Sequence, residues 1–176
     1  MSTIKWGLDP THSEVTFKVK HMMISNVSGS FKKFVVNVET QNDDFSDAKI
    51  DFTADVDSIT TNNDQRDGHL KSADFFDMGK YPVISFHATK YESKGGEDLL
   101  HGDLTIKDIT HPITLNVDFG GIVIDSYGQT KAGFTIEGKI KRKDFGLTWD
   151  AITEAGSVVV GNELKVHAEI QLIRQA

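Results

Sequence analysis

The stretch "AGFTIEGKIK", residues 132–141, decides the fold. Ala132, Phe134, Ile136, Gly138 and Ile140 alternate with Gly133, Thr135, Glu137, Lys139 and Lys141. Successive side chains of a strand point to opposite faces, so this pattern makes one apolar and one wet face. The same alternation recurs along the chain. Ile50, Phe52, Ala54 and Val56 alternate with Asp51, Thr53, Asp55 and Asp57. Ile84, Phe86 and Ala88 alternate with Ser85, His87 and Thr89. Leu104 with Ile106, then Ile113, Leu115, Val117 and Phe119, then Leu164, Val166, Ala168, Ile170 and Leu172 obey it too. An opening strand sets Val15, Phe17 and Val19 against Glu14, Thr16, Lys18 and Lys20. A weaker strand covers 31–38. Its apolar parity switches between Phe31 and Phe34, as a bulge would make it do. The count is about eight strands.

One-sided alternation with short connections means antiparallel sheet. "SKGGEDLL" reads as a hairpin connection and "VGNEL" as a tight turn. A sandwich or a closed barrel satisfies the pattern, and closure removes exposed edges. An eight-stranded barrel is either filled by side chains or holds one small ligand. Ala54, Ser58, Ala88, Gly102, Ala132, Gly138 and Ala168 are small residues of inward parity. They could leave a cavity or pack a taper, and periodicity leaves both open. Residues 61–82 do not alternate. Asn62, Asn63 or Asp64 can cap a short helix toward Leu70, which Gly68 limits to a turn or two.

The 176 residues fit one domain, 1–176, with a real core. The net charge of −7 argues against non-specific nucleic-acid binding. No run reaches the roughly 18 apolar residues of a membrane span. The absence of cysteine excludes disulfides, thiolate metal sites and cysteine nucleophiles. The N-terminus shows no basic segment followed by an apolar one, so a cytoplasmic location is expected. A mature form with a new start would be periplasmic.

Seven histidines are scattered, none in H-E-x-x-H or H-x-H spacing, so neither metal nor cofactor is expected. His87, His101 and His167 fall on the polar parity of their strands. Asp9, His12 and Ser13 crowd into "LDPTHSE", where Asx-turn and capping roles fit better than a triad. "RDGHLKSADFFD" and "RKDFGLTWD" read as amphipathic loops. The first plugs one barrel end with ion pairs, and an aromatic-rich loop such as the second can form the lip of a pocket. One position breaks the aliphatic pattern: His21, followed by Met23, continues the apolar side of the opening strand.

Several long motifs carry a resemblance. "WGLDPTHSEVTFKVKHMMISNVSGSF", "RDGHLKSADFFDMGKYPVISF", "LTIKDITHPITL", "FGLTWD" and "VGNELKVHAEI" resemble, in order, the YceI family of bacterial lipid-binding barrels. The resemblance implies an all-β, eight-stranded antiparallel lipocalin-like barrel with one or two short helical turns in 61–82. It implies a lumen that binds a long isoprenoid or similar amphiphile, such as a polyprenyl compound or a quinone tail. It also implies a homodimer, since members are often dimeric, and it carries no catalytic residues. Many members are periplasmic and carry a signal peptide; this sequence does not. The expected ligand contacts are the inward residues Phe17, Val19, Phe52, Ala54, Val56, Phe86, Ala88, Leu104, Ile106, Leu115, Val117, Phe134, Ile136 and Val166, with His21, Met23 and Trp149. A buried imidazole at His21 must be hydrogen-bonded. It is either paired with a neighbouring backbone group or carboxylate, or it orients a polar lipid head. The alternative function is an enzyme acting on a small apolar substrate in the same cavity, with His21 and a carboxylate as acid and base. A barrel simply filled by side chains is a third reading.

Overall fold

The computed structural model describes residues 3–21, 24–42, 44–94, 97–147 and 160–175. Their strands are β1 (Ile4–Leu8), β2 (Glu14–His21), β3 (Ser25–Phe31), β4 (Phe34–Thr40), β5 (Lys49–Asp55), β6 (Ile59–Thr60), β7 (Val83–Lys94), β8 (Glu97–Ile106), β9 (Ile109–Ile124), β10 (Thr130–Lys141) and β11 (Val160–Arg174). Every pairing is antiparallel. Going round, β1 pairs β4, then β5, β7, β8, β9, β10 and β11 follow, and β11 returns to β1. The result is a closed eight-stranded barrel, and closure leaves no free edge in the ring.

Three of the eight staves are broken in two. β1 and β2 both lie along β11, at 172–174 and 160–169, separated by a 3₁₀ turn at Pro10–His12. β3 and β4 are parted at Lys32 and Lys33, and β5 and β6 at the 3₁₀ turn Val56–Ser58. The breaks are tied across the wall: Lys32 N donates to Ser58 O at 3.1 Å and Asp55 N to Lys33 O at 3.0 Å. The parity switch between Phe31 and Phe34 is this break, a bend through the whole wall rather than a one-residue bulge.

The register agrees with the alternation. Asp51 is exposed while Ala54, Phe86, Leu104 and Phe134 are buried. Two details differ from expectation. "VGNEL" is no turn; it lies inside β11, where the pairing with β2 slips between Val160 and Leu164. β1 answers to the alternation of Ile4, Trp6 and Leu8 with Lys5 and Gly7, a run too short before Pro10 to stand out. Its Trp6 is buried and donates Nε1–H to Thr40 Oγ1 at 3.1 Å.

Helix α1 (Asp64–Lys71) is the two-turn helix of the 61–82 segment. Asn63 caps it, its side-chain oxygen accepting Arg66 N at 3.0 Å. Gly68 is exposed, and a Cβ there would meet nothing within 4 Å, so its helical cost of about 1 kcal/mol is not offset by close packing. No described helix is long and apolar enough to cross a membrane.

Candidate functional site

The barrel encloses an apolar cavity of about 410 Å³. Its floor lies where β7, β9 and β11 end. Phe45, in the loop between β4 and β5, turns inward there with φ +60° and is 1% exposed. Its ring meets Phe134 at 5.0 Å, Trp6 at 5.1 Å and Phe119 at 5.4 Å. Tyr91 and Leu100 complete this end of the wall. The Tyr91 hydroxyl donates to Asp98 Oδ2 at 2.5 Å, and burial, then this carboxylate, push its pKa up.

The walls are aliphatic and aromatic. Phe17, Val19, Phe52, Ala54, Phe86, Leu104, Ile106, Leu115, Val117, Phe134, Ile136 and Val166 all line the cavity. Val56 and Ala88 do not. Both are buried in the core, but Val56 belongs to a 3₁₀ turn that leaves the strand, and Ala88 precedes a register slip between β7 and β8. Met23 and Trp149 lie outside the described residues. The small residues divide. Ala54 and Ala168 face the cavity. Gly102 and Gly138 instead seat their neighbours: a Cβ on Gly102 would lie 2.4 Å from Phe86 Cζ, and one on Gly138 2.4 Å from Leu115 Cδ2. Taper packing accounts for the glycines and open space for those alanines.

The other end is polar at its rim. Thr61, Arg66, His69, Arg142 and His21 reach the cavity there, with Leu70, Phe75 and Phe76 between them. Asp67 holds the start of this plug. Its Oδ1 accepts Thr61 N at 2.8 Å and Thr61 Oγ1 at 2.5 Å. Arg66 donates Nε–H to Thr61 Oγ1 and Nη2–H to Thr61 O, both at 2.8 Å. A hydrogen bond and an ion pair pin the outside of the segment, His69 to Asp74 at 2.8 Å and Lys71 to Asp57 at 3.3 Å. Arg142 is 2% exposed and donates to the carbonyls of Gly161, Leu147 and Val160 at 2.8, 2.6 and 3.1 Å. Its guanidinium thus staples the end of β10 to the start of β11. His21 is half-buried opposite Val160. The paired reading of this imidazole finds no partner among the described residues.

Other histidines are occupied elsewhere. His87 bonds Asp51 at 2.5 Å, His101 bonds Glu92 at 2.9 Å, and His167 bonds Glu169 at 2.8 Å, all across or along the outer wall. Asp9 is the N-cap of the Pro10–His12 turn, accepting Thr11 N at 3.2 Å. Ser13 Oγ accepts Gln171 N at 3.0 Å. Asp9 thus has the capping role that its spacing indicated, whereas the Ser13 hydroxyl instead ties the turn to β11. Among the described residues, no three His, Asp or Glu side chains converge as metal ligands would.

Sequence reasoning missed Phe45, Arg66 and Arg142 as cavity residues. Phe45 is the lone aromatic in the polar loop "QNDDFSDA", which was its only signal. Arg142 follows the alternation of β10 by parity, but a cation on the inward side gives no hint of three waiting carbonyls.

The YceI-like domain family matches residues 6–172. UPF0312 protein SAS2572 of Staphylococcus aureus (strain MSSA476) is 39% identical over 164 residues, covering 93% of this chain and 94% of that protein. The crystal structure of the Campylobacter jejuni YCEI protein superposes with a TM-score of 0.75 at 33% identity, covering 96% of this chain and 97% of that one. A polyisoprenoid binding domain from Saccharophagus degradans shares the fold, with a TM-score of 0.68 at 16% identity over 97% of this chain and 98% of that one.

Proposed function

Because the chain belongs to the YceI-like domain family, we propose that it binds and carries a long-chain isoprenoid or similar amphiphilic lipid in its lumen. The carrying observation is the cavity that runs from Phe45 to the rim at Arg142, apolar along its walls and polar at one end. Its 410 Å³ lies within the roughly 300–1,000 Å³ of small-molecule sites. Each methylene withdrawn from water contributes about 0.8 kcal/mol, so an apolar lumen favours long chains. The aromatic floor sets the depth to which a tail inserts, and the rim at His21 receives the polar head. The polyisoprenoid binding named for the Saccharophagus degradans domain supports this class of ligand. A lipid carrier also suits the rim chemistry: Thr61 and Asp67 are engaged in holding the plug together and Arg142 in joining β10 to β11, which favours binding over turnover.

Mass spectrometry of organic extracts from the purified protein tests the proposal. A stoichiometric prenyl or other long-chain amphiphile is the expected result. Protein that is lipid-free and takes up no prenyl chain of any length would refute it. A product forming over time from the added lipid would favour the enzyme reading instead.

A further inference from the structure

Three lysines stand in a row on the outer wall. The register sets Lys18 of β2 opposite Lys165 of β11, and Lys165 opposite Lys139 of β10. All three are exposed. Lys20 follows Lys18 on the same face, its Cβ 3.1 Å from the position of a Cβ on Gly161. Lys141 follows Lys139, opposite Glu163. Like charges directly across a sheet destabilise it. The row Lys5, Glu39, Lys49, by contrast, alternates in sign, and the like pair Glu14 and Glu169 on β2 and β11 is relieved by Glu169 turning to His167. Of the nearby acids, Glu137 and Glu169 turn to His167 at 3.2 and 2.8 Å. Glu163 stands directly opposite Lys141. In a chain of net charge −7, these lysines gather five positive charges on one face.

The position of the row gives it a use. Lys20 precedes His21 and Lys141 precedes Arg142, so the row runs up to the rim of the lumen. Beyond β2, at the same end, Ile24 is 83% exposed. Lysines beside an exposed apolar tip match an anionic bilayer surface. Ammonium groups meet lipid phosphates, and the aliphatic side chain enters the interface. A nucleic acid would satisfy the lysines alone.

We infer that this face docks the barrel, rim first, on an anionic phospholipid bilayer. The inference rests on the lipid-carrier reading for its purpose, since docking would bring the lumen to the membrane that supplies its ligand. The test is flotation of the full-length protein with vesicles of phosphatidylcholine, alone or mixed with phosphatidylglycerol. Binding is expected to the mixed vesicles only and should fade with salt, as the screening length shrinks from about 10 Å at 0.1 M to about 3 Å at 1 M. The triple variant K18Q/K139Q/K165Q should bind roughly a hundredfold more weakly, at about fivefold per lysine. K5Q/K49Q/K90Q, the same charge change elsewhere, should bind like the parent. I24S should weaken binding without altering its salt dependence. Equal binding to both vesicle types, parent-like binding by the K18Q/K139Q/K165Q protein, or tighter binding to mixed-sequence duplex DNA would overturn the inference. Lipid content of the same preparations is read in parallel. Lipid-loaded protein that does not float defeats the docking alone; lipid-free protein that floats on anionic vesicles defeats the carrier reading alone.

Discussion

Lys131 Nζ donates to Asp9 Oδ2 at 2.9 Å, joining residues 122 positions apart. The pair ties the break in the first stave to β10, across the end of β11. Lys131, helped by hydrogen bonds from His12 and Thr11, holds the Asp9 carboxyl well below the usual carboxylate range against the opposing effect of burial. Asp9 in turn raises the Lys131 ammonium.

Asp9→Asn should therefore cost about 1.5–3 kcal/mol near neutral pH, the range for a hydrogen bond to a charged group. The folded pKa lies below the unfolded value of about 3.9, so this stabilisation is present above that pH and lost as pH falls through the folded value. The gap between parent and variant should narrow below about pH 4. Chemical denaturation across pH measures it. A gap that stays constant into strong acid would mean that the Asp9 charge is not its source.

Ala54 and Ala88 are both buried, and of the two Ala54 lines the cavity while Ala88 does not. Ala54→Trp should place an indole in space that a lipid chain would use, with near-normal folding and weakened binding of long prenyl chains. Ala88→Trp should overpack the core and cost about 1–3 kcal/mol or more. Thermal melting of delipidated protein, beside binding of chains of graded length, separates the two. Ala54→Trp that folds well and binds long chains as tightly as the parent would remove the ligand from the lumen.

Phe45→Ala deletes the floor. The loss should be about 3–5 kcal/mol, the range for a buried Phe. In protein that still folds, the lumen lengthens, and the preferred prenyl chain should shift to longer homologues. Chain-length profiles of the two proteins that coincide would show that Phe45 does not set the depth.

Gly102→Ala tests the taper. The new methyl would meet Phe86 Cζ at 2.4 Å and the His87 carbonyl oxygen at 2.6 Å, the second of which is backbone. A loss of about 1–3 kcal/mol is expected from overpacking, read as a lowered denaturation midpoint at unchanged slope. A neutral result would mean that the ring relaxes freely, and that open space adjoins it.

Much of the barrel was legible because period-two alternation is a local signal, and ten consecutive residues of β10 repeat it without error. What stayed hidden depends on partners distant in sequence. β1 is short, and its place follows from meeting both β4 and the end of β11. The register slip between Val160 and Leu164 imitates a turn because glycine and asparagine mark both. At the site, aliphatic wall residues follow parity, whereas Phe45 comes from a loop and Arg142 from a strand end. Parity places Val56 and Ala88 in the buried core, but neither lines the cavity.

β11 offers one edge to β10 and the other to both halves of the first stave. That arrangement governs the order of events during synthesis. Residues 4–21 leave the ribosome before the rest of the barrel, and the strand that completes their pairing leaves after it. Until 160–174 are made, β10 and the first stave each present an unmatched row of amides and carbonyls, with the inner apolar face open to water. Such edges recruit other chains. The nascent protein is thus most vulnerable to aggregation just before its final strand appears, and a truncation within β11 would prolong that exposure indefinitely.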